Sequence, residues 1–364
     1  MVRMGAAPML LFRNANLLTV ALLASTAGVC PALAQNELPP QSPQAPLCDS
    51  LPGAATGGPR VLTYVDDPPE MLKSFVPGLR GIQFEAQGSG PVGAQPSAAQ
   101  DKAPAILHST GEVIADLMHR MPNLIAKEVV VQPSGITMGN GMPSMGMRGR
   151  LGLAAPSFPE VQNRTASFNY RIVHRNKSAG VDILDELRTD AHDHPLTGST
   201  HDPSRPYSVG FATAWLFFYP GNFKESRYRY LGRQKIGRHQ TLVVAFAQIP
   251  GLNRMQTVID STYGVCAAAS QGVAWIDAST YQIVRMQTDL LAPQPAIQLN
   301  QLRSVLNYSA VKIPARDLTL WLPTEVEVTW QTAYTSGVET HRYSNYRLFE
   351  ATMRILPADE SPPK

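Results

Sequence analysis

Charge is what this chain has least of. Only 16% of its 364 residues are Asp, Glu, Lys or Arg, where about a quarter is usual in a soluble domain. The 31 basic and 28 acidic residues nearly cancel, leaving a formal net charge of +3. That balance supplies no electrostatic attraction toward nucleic acid or an anionic membrane, so neither is read as a partner. Catalytic signatures are missing as well. The chain has no Gly-x-Ser-x-Gly elbow, no Walker phosphate loop and no His-Glu-x-x-His helix, which removes sequence support for those hydrolase and nucleotide-handling classes. Carboxylate pairs occur at Asp66-Asp67 and Asp185-Glu186, but neighbours on a strand point to opposite faces and form no acid–base couple. Gly88-Ser-Gly90-Pro-Val-Gly93 spells a dinucleotide fingerprint, yet no strand feeds it and Pro91 interrupts it. The reading is of a protein that is not an enzyme, with no catalytic residues, no cofactor and no metal.

Apolar residues are plentiful by contrast, at 44%, and so is proline, with 31 residues. One globular domain with non-globular flanks fits that composition better than two packed domains. Residues 1–34 have the layout of a secretory signal peptide. Arg3 and Arg13 are its basic part, Leu17 to Val29 its apolar part, and Ala32-Leu33-Ala34 before Gln35 its small-x-small cleavage site. A membrane anchor is the competing reading, but the apolar run is short and a Pro- and Gln-rich stretch follows at once. Cys30 raises the question of lipid attachment, and Val29 stands where a small residue is needed. Cleavage would remove Arg3 and Arg13 and take the formal charge from +3 to +1. The mature chain is expected to be periplasmic or secreted, with no integral membrane segment. Cys48 and Cys266 then remain. In an oxidising compartment they can join the mature N-terminus to the central sheet as a disulfide; the alternative is one mobile thiol and one small buried hydrophobe in Gly264-Val-Cys-Ala-Ala-Ala.

Residues 35–108 read as a Pro/Gln/Gly-rich linker with short ordered pieces, a strand at Val61–Val65 and a helical turn at Leu72–Val76. The folded body is expected to span 109–357, followed by a loose tail at 358–364. Its opening Ser109-Thr-Gly-Glu112 fits a capping box, and Val113, Ile114, Leu117, Met118 and Met121 make an apolar helical stripe that Pro122 ends. Strands follow at Leu124–Gln132, Ser167–His174 and Val181–Leu187. Met138, Met142, Met145 and Met147 have a spacing that suits Cu(I), or simply line a mobile apolar loop. His192, His194 and His201, with their neighbouring aspartates, are the densest ligand cluster, but Pro195, Gly198 and Pro203 make the segment a polar loop without the rigid support a zinc site needs. Ser208 to Tyr219 is apolar all round and is expected to be a core or lid helix, ended by Pro220-Gly221. The last third is β, with strands at 283–290, 298–311, 325–333 and 339–349.

The centre of the chain is Tyr228 to Leu290. Gly237-Arg238 offers a type II′ turn pairing Ile236 with His239. Counting outward with unbroken alternation puts Tyr228, Tyr230, Val243 and Ala245 on one face and Leu231, Leu242, Val244 and Phe246 on the other. Both faces are apolar and must both be covered. Within this region, Leu231-Gly-Arg, then Gly272-Val-Ala-Trp275-Ile276-Asp277, then Gln282-Ile-Val-Arg285 resemble the periplasmic lipoprotein-carrier-like (LolA-like) half-barrel superfamily, in particular its acidobacterial-type members. Leu322-Pro323-Thr324 fits the same pattern as a turn entering a strand. The resemblance runs from Thr110 to Leu356 and is most specific at Trp275-Ile276-Asp277. It implies an α+β fold: an antiparallel curved β-sheet, or half-barrel, with helices covering its concave face and room for something greasy. Tyr228, Tyr230, Phe246, Trp275 and Trp330 are the candidate apolar lining. Expected partners are a hydrophobic small molecule or lipid, with envelope lipoproteins among the candidates. An envelope interaction module with a closed core is the alternative, and metal-dependent hydrolysis at His192, His194 and His201 ranks behind both.

Overall fold

The computed structural model describes residues 11–13, 47–48, 62–85, 102–133, 137–138, 163–176, 182–192, 211–252, 257–261, 264–332 and 335–349. The elements in chain order are β1 (Leu11–Arg13), α1 (Pro69–Phe75), β2 (Gln83–Phe84), α2 (Lys102–Arg120), β3 (Leu124–Pro133), β4 (Thr137–Met138), β5 (Asn163–Asn176) and β6 (Asp182–Thr189). They continue as β7 (Ser226–Ile236), β8 (His239–Gln248), β9 (Thr257–Ser261), β10 (Gly264–Ala268), β11 (Ser270–Asp277), β12 (Ile283–Leu290), β13 (Leu299–Ile313), β14 (Leu318–Thr332) and β15 (Thr335–Leu348). Eleven strands form one open, curved antiparallel sheet in the order β2-β7-β8-β11-β12-β13-β14-β15-β3-β5-β6, with β4 added beside β15. The chain is therefore an α+β half-barrel. From β11 to β15 the strands pair in sequence order, as local hairpins do. The long return from β15 to β3 brings the earlier strands alongside. A small sheet of β1, β9 and β10 stands apart; β1 lies in the stretch read as a leader and pairs here with β9.

The central hairpin turns at Gly237, whose φ of +56° needs no Cβ-bearing residue to enter the left-handed region, and Ile236 pairs with His239. Further out the register departs from strict alternation. Gly232 faces Val243 but Tyr230 faces Val244, so Leu231 is the extra residue of a β-bulge. Gly232 adopts φ +143°, and a Cβ there would lie 2.2 Å from the Gln83 carbonyl oxygen. The bulge thus lets β2 dock on β7, and it exchanges faces. Tyr228 and Tyr230 lie with Leu242, Val244 and Phe246, while Leu231 joins Val243 and Ala245. The grouping drawn from unbroken alternation is corrected accordingly.

Both faces of this central region are dry. The concave one carries the larger core, covered by α2 and by residues 211–225. On the convex one, Leu231, Val243, Ala245, Val273, Trp275 and Val284 pack under Tyr64, Leu72, Val76, Leu79 and Ile82. The segment around α1 is consequently a structural layer. Of its predicted strand at Val61–Val65, the described residues 62–65 lead instead into a turn: Asp67 accepts from Thr63 N–H at 2.6 Å, and Pro69 at the first position starts α1.

Helix α2 begins at Lys102, seven residues before the expected capping box, so Ser109 lies in its interior and caps nothing. Pro104 misled the boundary, since in a first turn its missing N–H has no helical partner to lose. The expected stripe holds, with Ile114, Leu117, Met118 and Met121 buried, and Ala103 and Ile106 extend it upstream. The segment expected as a lid helix is two 3₁₀ turns, Ala214–Phe218 and Pro220–Glu225. Tyr219 between them is extended, at ψ 134°, and Pro220 starts the second turn instead of ending a helix. Pro323 likewise does not precede a strand; it sits inside β14 opposite Tyr308, at the irregularity between Asn307 and Tyr308, where a residue without an N–H is tolerated.

Cys48 and Cys266 form a disulfide, with Cα atoms 4.8 Å apart and a sequence separation of 218. It fastens residues 47–48 to β10, where Leu47 also bridges Ala267.

Candidate functional site

The concave face of the half-barrel is the place where a ligand could be held, and its two halves differ in chemistry. Over β7, β8 and β12 the inward side chains are Tyr230, Val244, Phe246 and Met286, each with no exposed surface. The cover lays aromatic rings on them: Phe217 lies 4.7 Å from Phe246, and Phe218 meets Phe246 at 5.6 Å and Tyr228 at 5.5 Å. Such tilted and edge-on contacts are the favoured geometries of aromatic pairs. Close approach of α2 is set by Gly111, where a Cβ would come within 2.9 Å of Phe223 and Pro220.

Over β3, β5, β6 and β15 the same face is polar and just as deeply buried. Glu128 and His341 have no exposed surface, and Glu339 and Arg188 have 3% and 5%. Glu128 accepts from Arg188 Nη2 at 2.7 Å, His341 Nδ1 at 2.8 Å and the Tyr343 hydroxyl at 2.8 Å, all on Oε1, while Arg188 Nε reaches Oε2. The other imidazole nitrogen, Nε2, lies 3.1 Å from Glu339 Oε1. Burial by itself would raise the Glu128 carboxyl, but Arg188 and His341 outweigh it and hold the group at about 2. Burial would lower His341, and the two flanking carboxylates, Glu339 foremost, reverse this and raise it. Glu128, Arg188, His341 and Glu339 thus form one buried network of opposite charges around the imidazole.

Next to this cluster the cover is tied down. Glu186 accepts from Thr213 N–H at 2.6 Å and from the Tyr170 hydroxyl, and burial raises its carboxyl. Tyr308 donates to the Phe211 carbonyl at 3.2 Å, and the Phe211 ring stands edge-on to His341 at 4.9 Å. The first residues of the cover are thus held by ionisable groups and the later ones by aromatic packing.

The five lining candidates do not form one wall. Tyr228, Tyr230 and Phe246 come together under the cover, the Tyr228 hydroxyl donating to the Phe217 carbonyl. The Tyr230 hydroxyl donates to Glu85 at 2.8 Å and is pushed up to about 12, chiefly by burial. Trp275 faces the opposite core, donating from Nε1 to Gln234 at 2.9 Å. Trp330 is half-buried on β14 and its ring lies over Gly337. Asp277, from the most specific part of the resemblance, has a structural task. It accepts from both the backbone and the hydroxyl of Ser279 and Thr280, and its Oδ2 lies 2.6 Å from His239 Nδ1. It thereby closes the β11–β12 turn and fastens it to the neighbouring hairpin. Although burial opposes ionisation, those bonds hold its carboxyl below the usual range. His192 is exposed in the turn after β6; His194 and His201, like Met142, Met145 and Met147, lie outside the described residues.

The buried polar cluster escaped the sequence reading, although a signal for it existed. In β3, Leu124, Ala126, Glu128 and Val130 alternate onto one face, so period-2 counting places a carboxylate among core residues. The same count on β15 puts Glu339, His341 and Tyr343 together.

No family model matches the chain, and no curated protein matches it. Among solved structures, it is similar to a DUF1329 family protein from Desulfovibrio piger, with 12% identity, 67% of this chain and 92% of that chain covered, and a TM-score of 0.33. It is also similar to a putative outer membrane lipoprotein-sorting protein domain from Vibrio parahaemolyticus, with 9% identity, coverage of 66% and 92%, and a TM-score of 0.33.

Proposed function

We propose that this chain is an exported, periplasmic carrier or binding protein for a hydrophobic ligand such as a lipid or a lipoprotein acyl chain, and that it works without catalysis. The observation behind this reading is the way the concave face is sealed. An open curved sheet is closed by one helix and a short aromatic segment, Phe211–Phe218, which has little regular structure to lose if it moves. The rings it lays on Tyr228 and Phe246 occupy the space an acyl chain would take. Exchange is energetically reasonable: about 0.8 kcal/mol per buried methylene gives a twelve-carbon chain roughly 10 kcal/mol, of which an association cost of about 4 kcal/mol leaves roughly 6, an affinity of tens of micromolar. Among the described residues no helix is long and apolar enough to cross a membrane, and the Cys48–Cys266 disulfide suits an oxidising compartment.

Titration of the delipidated protein with a fluorescent fatty acid tests this. Saturable uptake at micromolar concentration, weakened by Phe246→Asp in a variant that still folds, is expected. Absence of uptake by a well-folded protein overturns the reading.

A second reading has its own support. Trp215, Phe218, Phe246 and Ile276 are at most 2% exposed, so the core is complete without a guest, as in an envelope interaction module. Native mass spectrometry of protein from its own host separates the two, through a co-purifying lipid or a co-purifying protein.

A further inference from the structure

The convex face holds a feature that the carrier reading does not use. Between α1 and the adjoining ends of β11, β12 and β13 is a cleft of about 640 Å³, within the size range of small-molecule sites. Its apolar wall is made by Leu62, Met71, Phe75, Leu290 and Pro293. Met71 and Phe75 stand one helical turn apart and are 48% and 50% exposed. They are two of only four large hydrophobics exposed among the described residues, so their place on one short helix beside a cleft calls for an explanation.

The walls are fixed in place. The Tyr64 hydroxyl donates to Asp289 at 2.8 Å, Gln271 donates to the Leu62 carbonyl at 2.9 Å, and Arg303 Nη2 donates to the Phe75 carbonyl at 2.8 Å. These cross-links tie Leu62, Tyr64 and the end of α1 to the sheet without filling the space. They also engage every charged group in the lining: Arg303 Nε pairs with Asp289 at 2.7 Å, and Asp67 accepts from Thr63 N–H. The one cation of the lining is thus already paired with a carboxylate, so an anionic head group would find no free partner. The amides of Asn300, Gln301 and Gln331 at the rim offer donors and acceptors to a neutral one.

We propose that this cleft binds an uncharged amphiphile, a single alkyl chain lying on Met71 and Phe75 with a hydroxyl-rich head against the rim amides. The site is on the opposite side of the sheet from Phe246 and does not depend on the carrier reading.

The probe is n-octyl-β-D-glucoside below its micelle concentration, with octanoate as the charged counterpart, measured by calorimetric titration and by photolabelling with a diazirine derivative of the glucoside. Saturable 1:1 binding is expected. Met71→Asp and Phe75→Asp, at exposed positions that leave the thermal midpoint unchanged, are each expected to weaken it by about tenfold or more. Label should fall on residues 62–75 and 290–293, and octanoate should not compete there. No binding of the glucoside, equal binding by both Asp variants, competition by octanoate, or label on residues 211–225 would each overturn the assignment. The last outcome would place the amphiphile inside the half-barrel, so the two sites are told apart.

Discussion

Replacing Glu128 by Gln tests whether the buried polar half of the concave face is held by charge. The substitution keeps volume and shape but removes the anion that Arg188, His341 and Tyr343 all address. Arg188 cannot lose its proton and is 5% exposed, so it would lose the carboxylate bonded to it and keep only Glu339 to oppose its charge, at a cost of up to about 3–5 kcal/mol. Total stability of a domain is about 5–15 kcal/mol, so this is a large fraction of it. Urea unfolding followed by tryptophan fluorescence, with the disulfide intact, should show it. With a slope of about 3 kcal/mol per molar, the midpoint falls by up to roughly 1–1.7 M. Removing both charges as Glu128→Met with Arg188→Met should cost less than Glu128→Gln alone, because no ion is left unpaired. A loss below about 1 kcal/mol for Glu128→Gln, or a double variant no better than the single one, would refute the view that the two ions depend on each other.

Other consequences can be measured separately. His341 and Glu186 are both raised in the folded state. The stability that each contributes is complete below its unfolded value and is lost as pH rises through its folded value, so the unfolding free energy should decline as pH rises above 4.5 through Glu186 and above 6.5 through His341. His341→Gln should flatten that slope in a pH series of urea midpoints. Asp277 shifts the opposite way; its contribution is present above the ordinary carboxylate value and lost in acid, and Asp277→Asn should cost about 1–3 kcal/mol by chemical denaturation at pH 7. Reduction of Cys48–Cys266, which joins positions 218 apart, should lower stability by about 2–4 kcal/mol, read as a drop in thermal midpoint on adding a reductant. Gly111→Leu, which crowds Phe223 and Pro220, should pry α2 from the cover and speed fatty-acid uptake in stopped-flow fluorescence.

Much of the β architecture was legible because burial on one face leaves a period of two. The alternations Phe168-Tyr170-Ile172 and Val326-Val328-Trp330 named their strands and their inward faces, and the burial pattern follows them. The apolar stripe of α2 was equally plain, and only its start was misplaced by Pro104. The candidate site was read less well. Four of the five aromatic candidates pack against the covered core, Trp330 only partly buried there, but the alternation that grouped Tyr228 and Tyr230 with Val243 and Ala245 broke at Leu231. Trp275 proved to belong to the other core.

The sequence by itself determined that this is a chain rich in half-buried strands, with a central hairpin apolar on both sides and therefore covered on both. Tertiary structure decided which residues do the covering. A bulge depends on Gly232 meeting the Gln83 carbonyl, the convex layer on Tyr64 finding Asp289, and the buried ion cluster on β15 returning beside β3. Each of these joins residues more than a hundred positions apart, and local periodicity holds no information about such encounters.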